Sequence, residues 1–383
     1  MNEAKRHALA ASHVFDGWTR HKDAAVIVEG SLIVGVTPQS ELPLGLEVRK
    51  LPSGVWLVPG FIDLQVNGGG DVLFNNSPTP EAILAIAAAH RKFGTTALLP
   101  TFITDTSEKM KAAFASAESL AESEPGILGI HLEGPFLSSE KAGVHDASLM
   151  RQPGPADLEL LCGPRKGALL VTLAPERVPR GLIAQLAKHG VRVSLGHSMA
   201  TYAETLGAMA EGLSGFTHLF NAMRPLASRE PGPIAAGLES PNAWFGIIVD
   251  GFHVNPAILR LALRGLSRPI LVTDAMPPVG GRQSKFALYG AEIQIFGGRC
   301  TRSDGTLAGS ALNMAAAVRN CVHMLGVPLE DALRFASRNP AEFIGLGHIL
   351  GGLRPGYRAD IVALDVGTLE VLETWVAGKE SAR

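Results

Sequence analysis

The sequence predicts an α/β protein: a (β/α)8 barrel with a small β-sandwich formed by the two ends of the chain. Three observations carry that expectation. Eight short apolar runs alternate with helical stretches through the middle of the 383 residues. Those runs are apolar on both faces, as strands buried in a parallel sheet are. Four of them end on a residue that can hold a metal or move a proton, and barrel active sites stand at the C-terminal ends of the strands.

The two ends of the chain read alike. Short β-like pieces at 24–28 and 31–36 are joined by a Glu29-Gly30 turn, and two more lie at 359–364 and 369–376. Neither end carries enough strands for a stable sheet of its own. Pairing them into one sandwich satisfies both, with 1–57 and 350–383 flanking a barrel at 58–349.

Within the barrel, strands are expected at 61–66, 97–102, 127–133, 168–173, 192–197, 215–219, 245–249 and 270–274. Helices are expected over 80–93, 107–121, 180–189, 202–212 and 256–266, with two more at 311–325 and 328–338 closing the flank. No Gly-x-Gly-x-x-Gly fingerprint follows the first strand, which counts against an open doubly wound sheet. The glycine-rich stretch 279–309 reads as a hairpin insertion near the barrel mouth.

Composition narrows the partners. With 46% hydrophobic and 18% charged residues the chain is compact rather than disordered. A net charge of −2 argues against a nucleic-acid surface, which needs a basic face. It leaves room for a small anion, because a phosphate needs only one or two placed cations and a few N–H groups. Cys162, Cys300 and Cys321 are far apart and odd in number, which fits a reducing cytoplasm rather than a disulfide framework. Residues 1–7 lack the apolar core of a signal peptide, and no 18-residue apolar run offers a membrane span. A cytosolic location without membrane partners is expected.

Glu133, His197 and His218 offer one oxygen and two nitrogens, a set used by catalytic Zn²⁺ sites that keep a position open for water. A lone buried histidine is an ordinary core residue; two with a glutamate, all at strand ends, are not. His131 precedes Glu133 by two residues and points the same way, so it is placed beside the ligands as a supporting neighbour. Asp274 ends the apolar run 270–273 and faces the mouth, where it can take a proton from water. Pro277-Pro278 follows too soon for Asp274 to cap a helix.

Together these residues resemble a known family. Pro59-Gly60-Phe61-Ile62-Asp63, His131-Leu132-Glu133-Gly134-Pro135-Phe136, Gly196-His197-Ser198 and Thr217-His218-Leu219-Phe220-Asn221-Ala222-Met223 occur in the order seen in N-acetylglucosamine-6-phosphate deacetylases of the amidohydrolase superfamily. Ser228-Arg229-Glu230-Pro231-Gly232, Asp250-Gly251-Phe252-His253-Val254, Val272-Thr273-Asp274-Ala275 and Leu307-Ala308-Gly309-Ser310 extend the match across nearly the whole chain.

The resemblance implies hydrolysis of the 2-acetamido group of a 6-phosphorylated amino sugar. Glu133, His197 and His218 would bind the metal, and Asp274 would serve as base and then acid. His145 would contact the acetamide carbonyl. Arg229 and His253 would bind phosphate, with the arginine supplied by the neighbouring subunit of a homodimer. Asn221, Ala222, Leu307, Ala308 and Gly309 would line the sugar.

Many superfamily members carry His-x-His at the end of the first strand for a second metal. Here Gln65-Val66-Asn67 stands there, and amides are poor Zn²⁺ ligands, so one metal per chain is expected. Zn²⁺ suits the donors best; Fe²⁺, Co²⁺ and Mn²⁺ are accepted by the same set. Three rival readings remain: the galacto epimer as substrate, a cyclic-amide or deaminating relative, and a silent scaffold.

Overall fold

The computed structural model describes residues 6–381; the first five, part of the segment expected to lack a leader, lie outside them. Eight parallel strands pair in sequence order: Phe61–Val66, Thr95–Ile103, Gly129–Glu133, Ala168–Leu173, Arg192–Leu195, Gly215–Phe216, Trp244–Ile247 and Arg268–Leu271. The last meets the first through a parallel Val66–Ala275 bridge and the Asp274 N–H, which donates to Gln65 O at 2.9 Å. The sheet therefore closes into the expected barrel.

Local chemistry starts the surrounding helices where the sequence says they should start. Thr79 caps Pro80–Arg91 by accepting from the Ala82 N–H, and Thr106 caps Ser107–Leu120 through the Lys109 N–H. Thr201 and Glu204 form a reciprocal capping box on Tyr202–Ala210. Each such cap is worth about 1 kcal/mol. Along Pro80–Arg91 the buried positions Ile83, Ile86, Ala87 and His90 follow the helical period and face the strands.

The strands end earlier than expected. The strands expected over 192–197, 215–219 and 270–274 stop at Leu195, Phe216 and Leu271. His197, His218 and Asp274 all take left-handed backbone conformations, with φ of 48°, 32° and 52°. The chain turns out of the sheet just before each one, which swings its side chain over the mouth. Non-glycine residues adopt that region rarely, and such strain concentrates where a side chain must be aimed.

The chain ends form one sheet, in the order Lys379–Glu380, Glu370–Val376, Ile361–Asp365, Val55–Pro59, Arg6–Phe15, Arg20–Glu29 and Leu32–Pro38, with Glu47–Lys50 also on Arg6–Phe15. Leu9, Val26, Leu57, Ile361 and Trp375 share one apolar cluster, so this sheet curls over its own inner face. A sandwich-like core thus arises from a single hydrogen-bonded sheet.

Residues 279–309 hold more than a hairpin. Lys285–Leu288, Ala291–Phe296, Arg299–Thr301 and Leu307–Ser310 form a four-stranded antiparallel sheet whose inner face packs Phe286, Leu288, Ile293 and Cys300 against Ile103, Val144 and Met276. The helix expected over 328–338 breaks at Ser337 into Leu329–Ala336 and Arg338–Phe343. Two helices the sequence reading passed over, Pro155–Cys162 and Gly232–Glu239, complete the flank. Among the described residues no helix is long and apolar enough to cross a membrane.

Candidate active site

Three ligand atoms converge at the barrel mouth. The Nε2 atoms of His197 and His218 stand 3.1 and 2.9 Å from Glu133 Oε1, and 3.2 Å from one another. All three side chains are buried. The geometry also fixes their chemistry. Nδ1 of His197 donates to the Lys141 carbonyl at 2.7 Å, because a carbonyl oxygen can only accept. A neutral His197 ring therefore presents a lone pair on Nε2 towards a carboxylate. Lone pairs facing one point repel unless a cation sits among them, so the residues present fit a bound metal.

Strong electrostatic interactions tie the same groups together. Burial works to raise the Glu133 carboxyl, but the two imidazoles outweigh it and hold the group well below the usual carboxylate range. Burial opposes charge on His218 too, yet Glu133 draws its pKa upward.

Asp274 stands beside this cluster. Its Oδ1 accepts from Asn67 Nδ2 at 2.6 Å and from Gln65 Nε2 at 3.3 Å, while the same Gln65 nitrogen reaches Glu133 Oε2 at 3.1 Å. Gln65 thus bridges the Glu133 carboxylate and the candidate base, while Asn67 holds the candidate base alone. Burial, then the charge of Glu133, pushes Asp274 up to about 6.

His131 sits below the cluster, with Nδ1 3.2 Å from Thr101 Oγ1 and Nε2 2.7 Å from Thr172 Oγ1. Both ring nitrogens are engaged by hydroxyls, so it does not join the convergent three. Burial, partly offset by Glu133, pushes it down to about 4.

A cavity of about 390 Å³ opens over these groups, lined by Asn67, Glu133, His145, His197, His218, Asn221, Ala222, His253, Asp274, Thr306, Leu307 and Gly309 among others. That volume suits a small ligand. His145 packs on His197 with ring centroids 4.3 Å apart, and burial with the His197 ring beside it holds its pKa well below the usual histidine range. His253 Nδ1 pairs with Asp250 Oδ2 at 2.6 Å, leaving Nε2 for the cavity. Burial works to raise Asp250, but His253 and two backbone N–H groups bring it below its usual range.

Two expected residues lie elsewhere. Ala308 does not line the cavity; it is buried in the apolar cluster under the inserted sheet. Arg229 is exposed, outside the cavity lining, and makes no hydrogen bond or ion pair among the described residues. Its loop is nonetheless anchored: Glu230 Oε1 accepts from the Tyr202 and Gly232 N–H groups at 2.8 and 3.0 Å.

The sequence reading missed several buried residues. Asp63 accepts from Thr273 Oγ1 at 2.5 Å, from Thr273 N at 3.3 Å and from Gln65 N at 3.2 Å. Burial pushes it up to about 7 despite these donors. Ser310 donates through Oγ to Thr273 O at 2.6 Å and through N to Asp274 O at 2.9 Å. Asp63 and Ser310 thereby grip the turn that aims Asp274. The signals for Asp63 were its place in the Pro59-Gly60-Phe61-Ile62-Asp63 motif and a carboxylate inside an apolar strand, neither of which named its partners.

A closed parallel barrel with one carboxylate and two imidazoles converging at its mouth, and a further carboxylate beside them, belongs to the class of metal-dependent barrel hydrolases. Residues 56–382 match the Amidohydrolase family, and the chain belongs to that family.

Its relatives are specific. It is 44% identical to an N-acetylgalactosamine-6-phosphate deacetylase of Shewanella sp. strain ANA-3, over 93% of this chain and 91% of that one. It is 36% identical to the N-acetylglucosamine-6-phosphate deacetylase of Haemophilus influenzae, over 98% and 99% of the two chains. The crystal structure of N-acetylglucosamine-6-phosphate deacetylase from Pasteurella multocida superposes with a TM-score of 0.94 at 36% identity, covering 99% of this chain and all of that one.

Proposed function

We propose that this protein removes acetate from N-acetyl-D-glucosamine 6-phosphate to give D-glucosamine 6-phosphate. The observation that carries this reading is the convergence of Glu133, His197 and His218 beside Asp274 in a cavity of small-ligand size. Full-length similarity to deacetylases of 6-phosphorylated amino sugars supports the substrate class.

Glu133, His197 and His218 would hold one divalent cation, most suitably Zn²⁺, which when bound polarises a carbonyl and acidifies water. Asp274 accepts a proton from the attacking water as the new C–O bond forms at the acetamide carbon. It then returns that proton to the sugar nitrogen as the C–N bond breaks, so the nitrogen leaves as an amine and acetate remains. Gln65 and Asn67 hold the Asp274 carboxylate towards the reacting centre. Their N–H groups face the carboxylates where a second metal would need lone pairs, which supports a single-metal site. His145 directs Nε2 at the acetamide carbonyl oxygen.

His253 reads the phosphate through Nε2, while Asn221, Ala222 and the 307–309 segment line the sugar. Arg229 reaches the phosphate of a neighbouring protomer, which makes the working unit a homodimer. Its exposure, its lack of partners among the described residues and the anchoring of its loop by Glu230 support that assignment. The free thiols of Cys162, Cys300 and Cys321 fit a cytoplasmic location.

Arg229→Ala is expected to raise KM for the phosphorylated sugar at least about tenfold with a small change in kcat, since a charged phosphate contact is lost. Hybrid dimers of Arg229→Ala and Asp274→Asn chains, each inactive at low substrate, should regain activity. Failure of the hybrids to recover would refute the donation between protomers.

A second reading, the galacto epimer as substrate, is favoured by the 44% identity to the Shewanella enzyme. Acetate release from both phosphorylated epimers and from the unphosphorylated sugar tests the proposal. A higher kcat/KM on the gluco phosphate supports it. A higher value on the galacto phosphate would replace it, and equal rates without phosphate would reject the phosphate reading.

A further inference from the structure

We propose that Thr104 is a positioning residue that fixes the tautomer of His145, so that Nε2–H points into the cavity as a ready hydrogen-bond donor. This rests on the reading of His145 as the group that meets the acetamide carbonyl.

Thr104 directly follows the strand Thr95–Ile103 and is 1% exposed. Its Oγ1 lies 2.9 Å from Nδ1 of His145. A neutral imidazole carries one N–H, and the partner of one ring nitrogen decides where that proton sits. Two arrangements satisfy the contact. Either Nδ1–H donates to the hydroxyl, or the hydroxyl donates to an unprotonated Nδ1.

The surroundings decide between them. Among the described residues Thr104 Oγ1 has no hydrogen-bond partner except His145. If Nδ1 carried the proton, the hydroxyl hydrogen of a buried threonine would have no acceptor, and unsatisfied buried donors are disfavoured. With the proton on Nε2, the hydroxyl donates to Nδ1 and the unpaired N–H is the one that faces the cavity. Nε2 has no partner among the described residues, and the ring lines the cavity. The donor is thus left free where a carbonyl oxygen would gain negative charge as water adds.

The ring cannot easily turn to escape this choice. It packs on His197 at an interplanar angle of 54°, and the His145 N–H is tied to Ala142 O at 3.0 Å. Thr104 is itself held from the inserted sheet, where the Tyr289 hydroxyl donates to its carbonyl. A donor fixed before the reaction stabilises the developing oxyanion without reorganisation, which is how such groups accelerate acyl transfer.

The experiment compares Thr104→Val, Thr104→Ser, His145→Gln and the Thr104→Val/His145→Gln pair in the metal-loaded full chain, with N-acetylglucosamine 6-phosphate as substrate. Valine keeps the shape and removes the hydroxyl; serine keeps the hydroxyl. We expect Thr104→Val to lower kcat about tenfold, the worth of one hydrogen bond, with KM within about twofold. Thr104→Ser should stay within about twofold of the parent in both constants. Metal content should match the parent in each single variant, and Thr104→Val should cost no further turnover in the His145→Gln background.

Normal turnover in Thr104→Val, with turnover lost in His145→Gln, overturns the proposal and leaves the reading of His145 standing. An equal loss in the Val and Ser variants overturns it, as does a Thr104→Val penalty that persists without His145. Full turnover in His145→Gln overturns the reading of His145 and this inference with it.

Discussion

Replacing Asp274 with asparagine leaves the metal in place and lowers kcat by at least about a hundredfold, the scale on which positioned proton-transfer groups act. The substitution preserves shape but removes the carboxylate beside the cluster that takes a proton from water and returns it to the amine in the proposed reaction. Metal content should be unaffected, because Asp274 is not among the three convergent ligands. The pH profile of the parent gives a second reading of the same group. Burial and the Glu133 charge raise Asp274 to about 6, and a cation held by Glu133 draws it back down. A base works only when deprotonated, so kcat/KM should fall on acidification with a midpoint at or below about 6. An acid limb centred well above 6, or a fully active asparagine variant, would show that another group carries the proton.

Glu133→Gln acts on the other half of the site and has a readout independent of turnover. Glu133 Oε1 is the one charged donor among the three ligand atoms, and both imidazole nitrogens lie within 3.1 Å of it. An amide oxygen lacks that charge, and the Gln65 N–H loses the carboxylate that it now meets at 3.1 Å. The variant should be purified with little metal. Added Zn²⁺ at a hundred times the parent's Kd stabilises the parent by about 2.7 kcal/mol and should barely move the Tm of the variant. Acetate release should fall with the metal. A variant that keeps a full complement of metal would remove Glu133 from the ligand set.

Much of this site was legible because barrel strands advertise themselves. The run 127–132 is apolar but for His131 and leads to Glu133, and short, mainly apolar runs likewise lead to His197, His218 and Asp274. A charged or imidazole group closing a doubly buried strand has few ordinary explanations. The left-handed turns that aim His197, His218 and Asp274 were not legible, since none of the three is glycine.

Other misses have different physical origins. Gly232–Glu239 begins Gly-Pro and carries Gly237, and both glycines weaken its helical signal. Yet a Cβ at Gly237 would stand 3.1 Å from the Phe216 ring, so the glycine lets the helix approach its strand. At Pro155–Cys162 the start signal was present, with Gly154, Pro155 and Asp157 in capping order, but the helix is only eight residues long. Thr104 carried no signal, and Ser310 only its place at the end of the Leu307-Ala308-Gly309-Ser310 motif, which said nothing of its partner. Each meets its partner across a fold that sequence order does not reveal, Thr104 at 41 positions and Ser310 at 37.

In the proposed reaction one metal, held by Glu133, His197 and His218, serves the deacetylase, and Gln65 and Asn67 stand where a second metal would bind. Metal content per chain, measured alongside acetate release while the metal-free protein is titrated with Zn²⁺, tests this. Activity is expected to rise linearly and to saturate at one equivalent per chain. Saturation at two equivalents, or full acetate release from the metal-free protein, would contradict it.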